Sequence, residues 1–63
     1  MIISGYRHGA RTIDATAAIC KHAGENLSTA KKMVESVLDG NPIKLPDDFV
    51  LREDLESAGF IVE

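Results

Sequence analysis

The sequence predicts a small α+β domain: a β-α-α-β-α-β chain folded as a two-layer sandwich, with three helices on one face of a three-stranded sheet. Three observations predict it. The chain has 63 residues, which is the length of one domain, and no linker, internal repeat or low-complexity tract divides residues 1–63. Three segments carry helical patterning, and a glycine follows each of them: Gly24, Gly40 and Gly59. Three short β-prone segments stand before, between and after those helices. Helices with one apolar face each must bury it, and a small sheet is the surface they can share.

Ile2-Ile3-Ser4-Gly5-Tyr6 is the first β-prone segment. Arg7-His8-Gly9-Ala10-Arg11 then reads as a loop punctuated by Gly9. Thr12 is the expected N-cap of the first helix, and Asp14 falls in the first turn, where the helix dipole favours a carboxylate. The alanine-rich run from Ile13 to Ala23 is helical by propensity. Gly24 follows it where a left-handed residue is needed to stop.

Ser28 is the expected cap of the second helix. Behind it Ala30, Met33, Val34, Val37 and Leu38 recur at i, i+3, i+4, i+7 and i+8, the strongest periodicity in the chain. Gly40 closes this helix. Between Asn41 and Pro46, Ile43 and Leu45 alternate with Lys44, which predicts a short edge-like strand. Pro46-Asp47-Asp48 resembles a helix start, and Leu51, Leu55 and Ala58 share one face of the helix that follows. The three consecutive apolar residues Phe49, Val50 and Leu51 blur its first position. Phe60-Ile61-Val62 is the last β-prone segment. The second and third strands, joined through a helix, should be parallel and right-handed in their crossover, with the first strand antiparallel between them.

Composition narrows the function. The chain is 44% hydrophobic and 27% charged, the balance of a folded domain. A chain this short buries only about 60% of its unfolded surface, so its core is thin. Cys20 is the one cysteine, so no disulfide forms within the chain, and a reducing, cytoplasmic setting is expected. No secretory signal and no apolar run of roughly 18 residues is visible, so no membrane role is expected.

The net charge of −3 argues against general nucleic-acid binding, but the charge is uneven. Residues 1–32 carry Arg7, Arg11, Lys21, Lys31 and Lys32 against Asp14 and Glu25, a balance of +3. Residues 33–63 carry Lys44 and Arg52 against Glu35, Asp39, Asp47, Asp48, Glu53, Asp54, Glu56 and Glu63, a balance of −6. A bipolar molecule steers partners by its field.

No constellation of residues supports catalysis. Cys20 and His22 lie two apart on a helix and do not face each other. Nothing near Asp47 and Asp48, or near Glu53, Asp54 and Glu56, would drive two carboxyl pKa values apart. His8 and His22 are the only histidines and lack further ligands at metal-binding spacing. Neither enzyme activity, nor a metal, nor a cofactor is expected. Tyr6-Arg7-His8-Gly9-Ala10-Arg11 sets an aromatic among cations, a pattern that contacts phosphate or single-stranded nucleic acid. Arg7, Arg11 and Lys21, with Lys31, are therefore candidate nucleic-acid contacts, although a solvated loop accounts for the same residues.

Two longer motifs add a resemblance. Gly24-Glu25-Asn26-Leu27-Ser28-Thr29-Ala30-Lys31-Lys32-Met33-Val34-Glu35 is similar to Gly-x-x-Leu-x-x-Ala-Lys-x-x-Val-Glu, and Leu55-Glu56-Ser57-Ala58-Gly59-Phe60-Ile61-Val62-Glu63 to Leu-x-x-Ala-Gly-Ala-x-Val-Glu. Both patterns belong to the C-terminal domain of the bacterial ribosomal stalk protein. The first half aligns without a gap from Ile3 to Ser36, and the family's element order is the one derived above.

The resemblance implies a non-catalytic interaction module. In that family the domain recruits translational GTPases through a mostly basic face of the first helix and the start of the second. Ile13, Gly24, Leu27 and Lys31 fit that face. Thr12, Thr16, Ala17 and Cys20 stand where the family usually has lysine, isoleucine, lysine and arginine, so three expected cations are gone. Their loss weakens or redirects factor binding. Phe60 replaces a customary alanine.

The expected partner surface is the groove formed by Ile13, Thr16, Ala17, Cys20, Gly24, Leu27 and Lys31. The partner is a translation factor, the ribosome or an unrelated protein. The N-end-rule adaptor of an ATP-dependent protease shares this general fold and is a second reading, but its characteristic acidic pocket residues are not recognisable here. A core this small also stands to gain from self-association through strand edges.

Overall fold

The computed structural model describes residues 1–63, in the order β1 (Ile2–Tyr6), α1 (Thr12–Ala23), α2 (Leu27–Leu38), β2 (Ile43–Lys44), α3 (Phe49–Ser57) and β3 (Phe60–Val62). This is the predicted α+β order. The caps differ from the sequence reading in two places.

Thr12 does not cap α1; it is the first helical residue, and Arg11 is the N-cap with no side-chain capping bond. The reason is tertiary. The Arg11 backbone N–H donates to the Ala58 carbonyl at 2.7 Å and its guanidinium donates to the Ser57 carbonyl at 2.8 Å. Those bonds to the end of α3 fix the chain one residue ahead of Thr12. Asn26, not Ser28, caps α2: its side-chain oxygen accepts from the Thr29 N–H at 2.8 Å. The helix thereby gains Leu27 as its first residue. Within the helix start at Pro46-Asp47-Asp48, it is Asp48 that caps α3, accepting from the Leu51 N–H at 2.9 Å. That cap settles the apolar triplet: Leu51 turns inward with Leu55, while Phe49 and Val50 stay exposed.

Two glycines are required by their surroundings. Gly24 ends α1 at φ 71°, in the left-handed region that lets the chain reverse into α2. Gly59 sits at φ 96°, and a Cβ there would meet the Ala10 Cα at 3.0 Å. A side chain at that position would push apart the loop before α1 and the end of α3.

The sheet order is β2-β1-β3, with β1 antiparallel to both neighbours. The outer strands are therefore parallel to each other across β1, as the sequence predicts. Ile3 lies opposite Ile43 on one side and Val62 on the other. The register to β3 shifts between Ile3 and Gly5, so that Gly5 faces Ile61 and Tyr6 faces Phe60. An extra residue in one strand reverses its side-chain alternation from that point. The shift sets the Tyr6 ring beside the buried Phe60, with centroids 6.4 Å apart and planes tilted by 45°.

The core is one cluster drawn from β1, the three helices and β3, with Leu45 just past β2, and Ile3, Ile19, Val37, Leu51 and Leu55 are its largest fully buried side chains. α1 packs against both α2 and α3; α2 covers β1 and β2, and α3 covers β3. Thr16 is the one buried polar residue, and its hydroxyl donates to the Thr12 carbonyl at 2.8 Å. No helix is long and apolar enough to cross a membrane.

Candidate functional site: a groove between the first two helices

α1 buries Ala15, Ala18 and Ile19, and α2 buries Ala30, Val34 and Val37. Each helix leaves a second stripe at the margin of that contact. On α1 the stripe is Ile13 and Ala17, four residues apart on one face. On α2 it is Leu27, Lys31, Glu35 and Leu38, spaced by four, four and three. Between the stripes runs an open groove of about 520 Å³, lined also by Thr12, Thr16 and Val34.

Its chemistry follows from the side chains. Ile13 is 83% exposed and Leu27 is 68% exposed, so two large aliphatic groups stand in water on opposite walls. The floor includes buried Val34 and Thr16. Because the Thr16 hydroxyl is already bonded within α1, it offers little hydrogen-bonding demand to a visitor. Lys31 and Glu35 supply charge on the α2 wall. They stand one turn apart, yet the ion pairs of the molecule all lie elsewhere. Both charges face water and are open to a partner.

Five of the seven residues expected at the partner surface come together here: Ile13, Thr16, Ala17, Leu27 and Lys31. Cys20 and Gly24 do not line the groove. Cys20 is partly buried against the core, and Gly24 forms the turn between the helices. Val34, Glu35 and Leu38 also line the groove, beyond the residues that the resemblance implies. The spacing from Leu27 through Lys31 to Glu35 and Leu38 is the signal that finds them.

The basic residues follow a different plan. Arg11 and Lys21 line a second, shallower groove between α1 and α3, together with Asp14, Asp54 and Ser57. Arg11 is engaged there: its Nε lies 2.8 Å from the Asp14 carboxylate, beside its bond to Ser57. The Asp54 carboxylate of this groove lies 3.2 Å from His22 Nε2. Arg7 and His8 are exposed in the loop and line neither groove. Lys31 belongs to the α1–α2 groove. The four cations considered for nucleic acid are thus split between two sides of α1 and the loop ahead of it.

The remaining titratable groups have local roles. Asp48 caps α3. Asp47 accepts a 2.8 Å hydrogen bond from the Met1 ammonium, which also donates to the Leu45 carbonyl at 2.8 Å. That bond, followed by the ammonium's charge and those of Arg52 and Lys44, holds the Asp47 carboxyl below the ordinary carboxylate range. Cys20 and His22 do not converge: one packs on the core, the other turns to Asp54. No family model, curated protein or solved structure matches the chain.

Proposed function

We propose that this chain is a non-catalytic protein-interaction module that takes its partner in the α1–α2 groove. The reading follows the resemblance to the factor-recruiting domain of the ribosomal stalk, with the partner redirected. One observation carries it. The groove sets two exposed aliphatic side chains, Ile13 and Leu27, over a floor whose polar group is satisfied internally. Removing such a side chain from water contributes about 1.5–3 kcal/mol when burial is complete. Lys31 and Glu35 add charges that orient a partner and set its rate of arrival more than its affinity.

Three positions that carry cations in the stalk family hold Thr12, Ala17 and Cys20 here, so binding to a translational GTPase should be weaker than the family norm. The single cysteine fits a cytoplasmic setting. The test is an NMR titration of labelled chain with a purified translational GTPase, followed residue by residue. Shifts confined to the groove, lost in the Ile13→Asp, Lys31→Glu double variant, support the reading. Binding that the double variant leaves intact, or that maps to Arg7, Arg11 and Lys21 and falls steeply with salt, replaces it with nucleic-acid-like or other recognition.

A further inference from the structure

A second pair of apolar side chains stands in water away from the groove. Phe49 is 73% exposed and Val50 is 51% exposed, both in the first turn of α3. The Asp48 cap fixes them there, since it holds the helix start one residue ahead of Phe49. One turn further on come Glu53 and Asp54. The pattern is the charge inverse of the α2 wall, where exposed Leu27 is followed one turn on by Lys31.

The surrounding charge agrees. Residues 7–38, which form the loop and both walls of the groove, carry five cations (Arg7, Arg11, Lys21, Lys31, Lys32) and three carboxylates (Asp14, Glu25, Glu35). Residues 39–63 carry seven carboxylate side chains and two cations. The α3 start cannot fill the groove of its own molecule, because α3 packs on the other flank of α1. It can fill the groove of another.

We propose that a second copy of this chain occupies the groove head to tail, with Phe49 and Val50 of one molecule between Ile13 and Leu27 of the next. Glu53 then faces Lys31, an exposed charge that no ion pair engages. The contact joins two different patches, so it propagates along an open chain of molecules unless the rotation closes it. It is weak by its size. The whole molecule exposes 3956 Å², and a stable interface needs about 800 Å² from each partner, a fifth of that surface. Four aliphatic and aromatic side chains at one groove cover less.

The proposal rests on the reading of the groove as a docking surface, and its test is separable from the titration with a GTPase. Sedimentation and labelled-chain NMR are recorded on the chain alone across a concentration series reaching about 1 mM, the range of weak contacts. The average mass rises with concentration, and shifts move together at Phe49 and Val50 and at Ile13, Leu27 and Lys31.

Phe49→Asp and Ile13→Asp each weaken association about tenfold or more. Both place a carboxylate in an exposed first turn, where the helix dipole favours it, so both variants fold. Mixed together, they restore a single contact, because one keeps the groove and the other keeps the apolar pair. The mixture forms a dimer and nothing larger. A wild-type chain that stays monomeric throughout overturns the proposal, as does either variant associating like wild type, or a mixture that fails to pair. If the chain self-associates but ignores the GTPase, the groove is a docking surface and only the stalk-like partner is wrong.

Discussion

The two flanks of α1 invite comparison. Toward α2 the helix presents Ile13, Ala17 and a satisfied Thr16, and the charges opposite them pair with nothing. Toward α3 it presents Arg11, Asp14 and Lys21, and the carboxylates there are drawn into pairs: Arg11 with Asp14, His22 with Asp54. One helix thus separates an apolar groove with free charge from a polar groove whose charge is largely engaged. Exposed ion pairs add little to stability, with a median of about 0–1 kcal/mol. Their effect here is on recognition: a cation already facing a carboxylate must give that up before it takes an anionic partner. The α2 flank imposes no such exchange.

The largest expected effect comes from undermining both flanks at once. Ile19 is buried beneath α1, and Ile19→Ala removes its side chain from the core. The cost is about 2–5 kcal/mol, the range for large-to-small core changes. In a domain of this size each 1 kcal/mol lowers Tm by roughly 4–8 °C. Thermal unfolding followed by circular dichroism checks this. A shift of only a few degrees would mean that the flanks do not depend on a shared core.

The comparison sharpens at the next level down. Ile13→Asp should weaken partner binding about tenfold or more while leaving Tm nearly unchanged, since the side chain already stands in water. Lys21→Glu, on the other flank, should leave partner affinity within about twofold, the size of an exposed charge effect. Calorimetric titration of both variants decides it. Equal losses would merge the two flanks into one surface.

A smaller effect separates the groove wall from the rest of the fold. Asn26→Ala removes the side-chain acceptor of the Thr29 N–H and should cost about 1 kcal/mol, within the usual range for a lost N-cap. Because Asn26 precedes Leu27, amide exchange should rise first at the start of α2. A uniform rise across the domain would show that the wall does not open separately.

How much of this was legible in the sequence depends on whether the cause is local. The elements, their order and the core face of α2 follow from periodicity and glycines, and the central place of β1 from the right-handed crossover. The cap of α1 did not, because Arg11 is held by carbonyls of Ala58 and Ser57, 47 and 46 residues further on. The register shift at Ser4 was invisible for the same reason: it takes a partner strand to show which residue is extra. In the groove, the α1 wall was read through Ile13, Thr16 and Ala17. On the α2 wall the resemblance reaches only to Lys31, since the family's binding face takes in only the start of that helix. Cys20 packs against the core instead of lining the groove, a placement that only the packed helices show.

The smallest expected effect concerns a charge engaged outside both flanks. Asp47 is exposed, yet the Met1 ammonium hydrogen-bonds it at 2.8 Å and lowers its pKa below 3.8. A carboxyl depressed in the folded state stabilises the fold above its unfolded pKa, and that contribution fades as pH falls through the lower folded value. The window is therefore acidic, below pH 3.8, and neutral pH leaves the clasp intact. Solvent screens a group this open, so the signature is a titration curve and not a large change in stability. Carboxyl NMR should place the Asp47 midpoint below 3.8, and added salt should raise it only in part, because the hydrogen bond leads and the charges follow. A midpoint at or above 3.8 would mean that the ammonium is not held against Asp47 in solution.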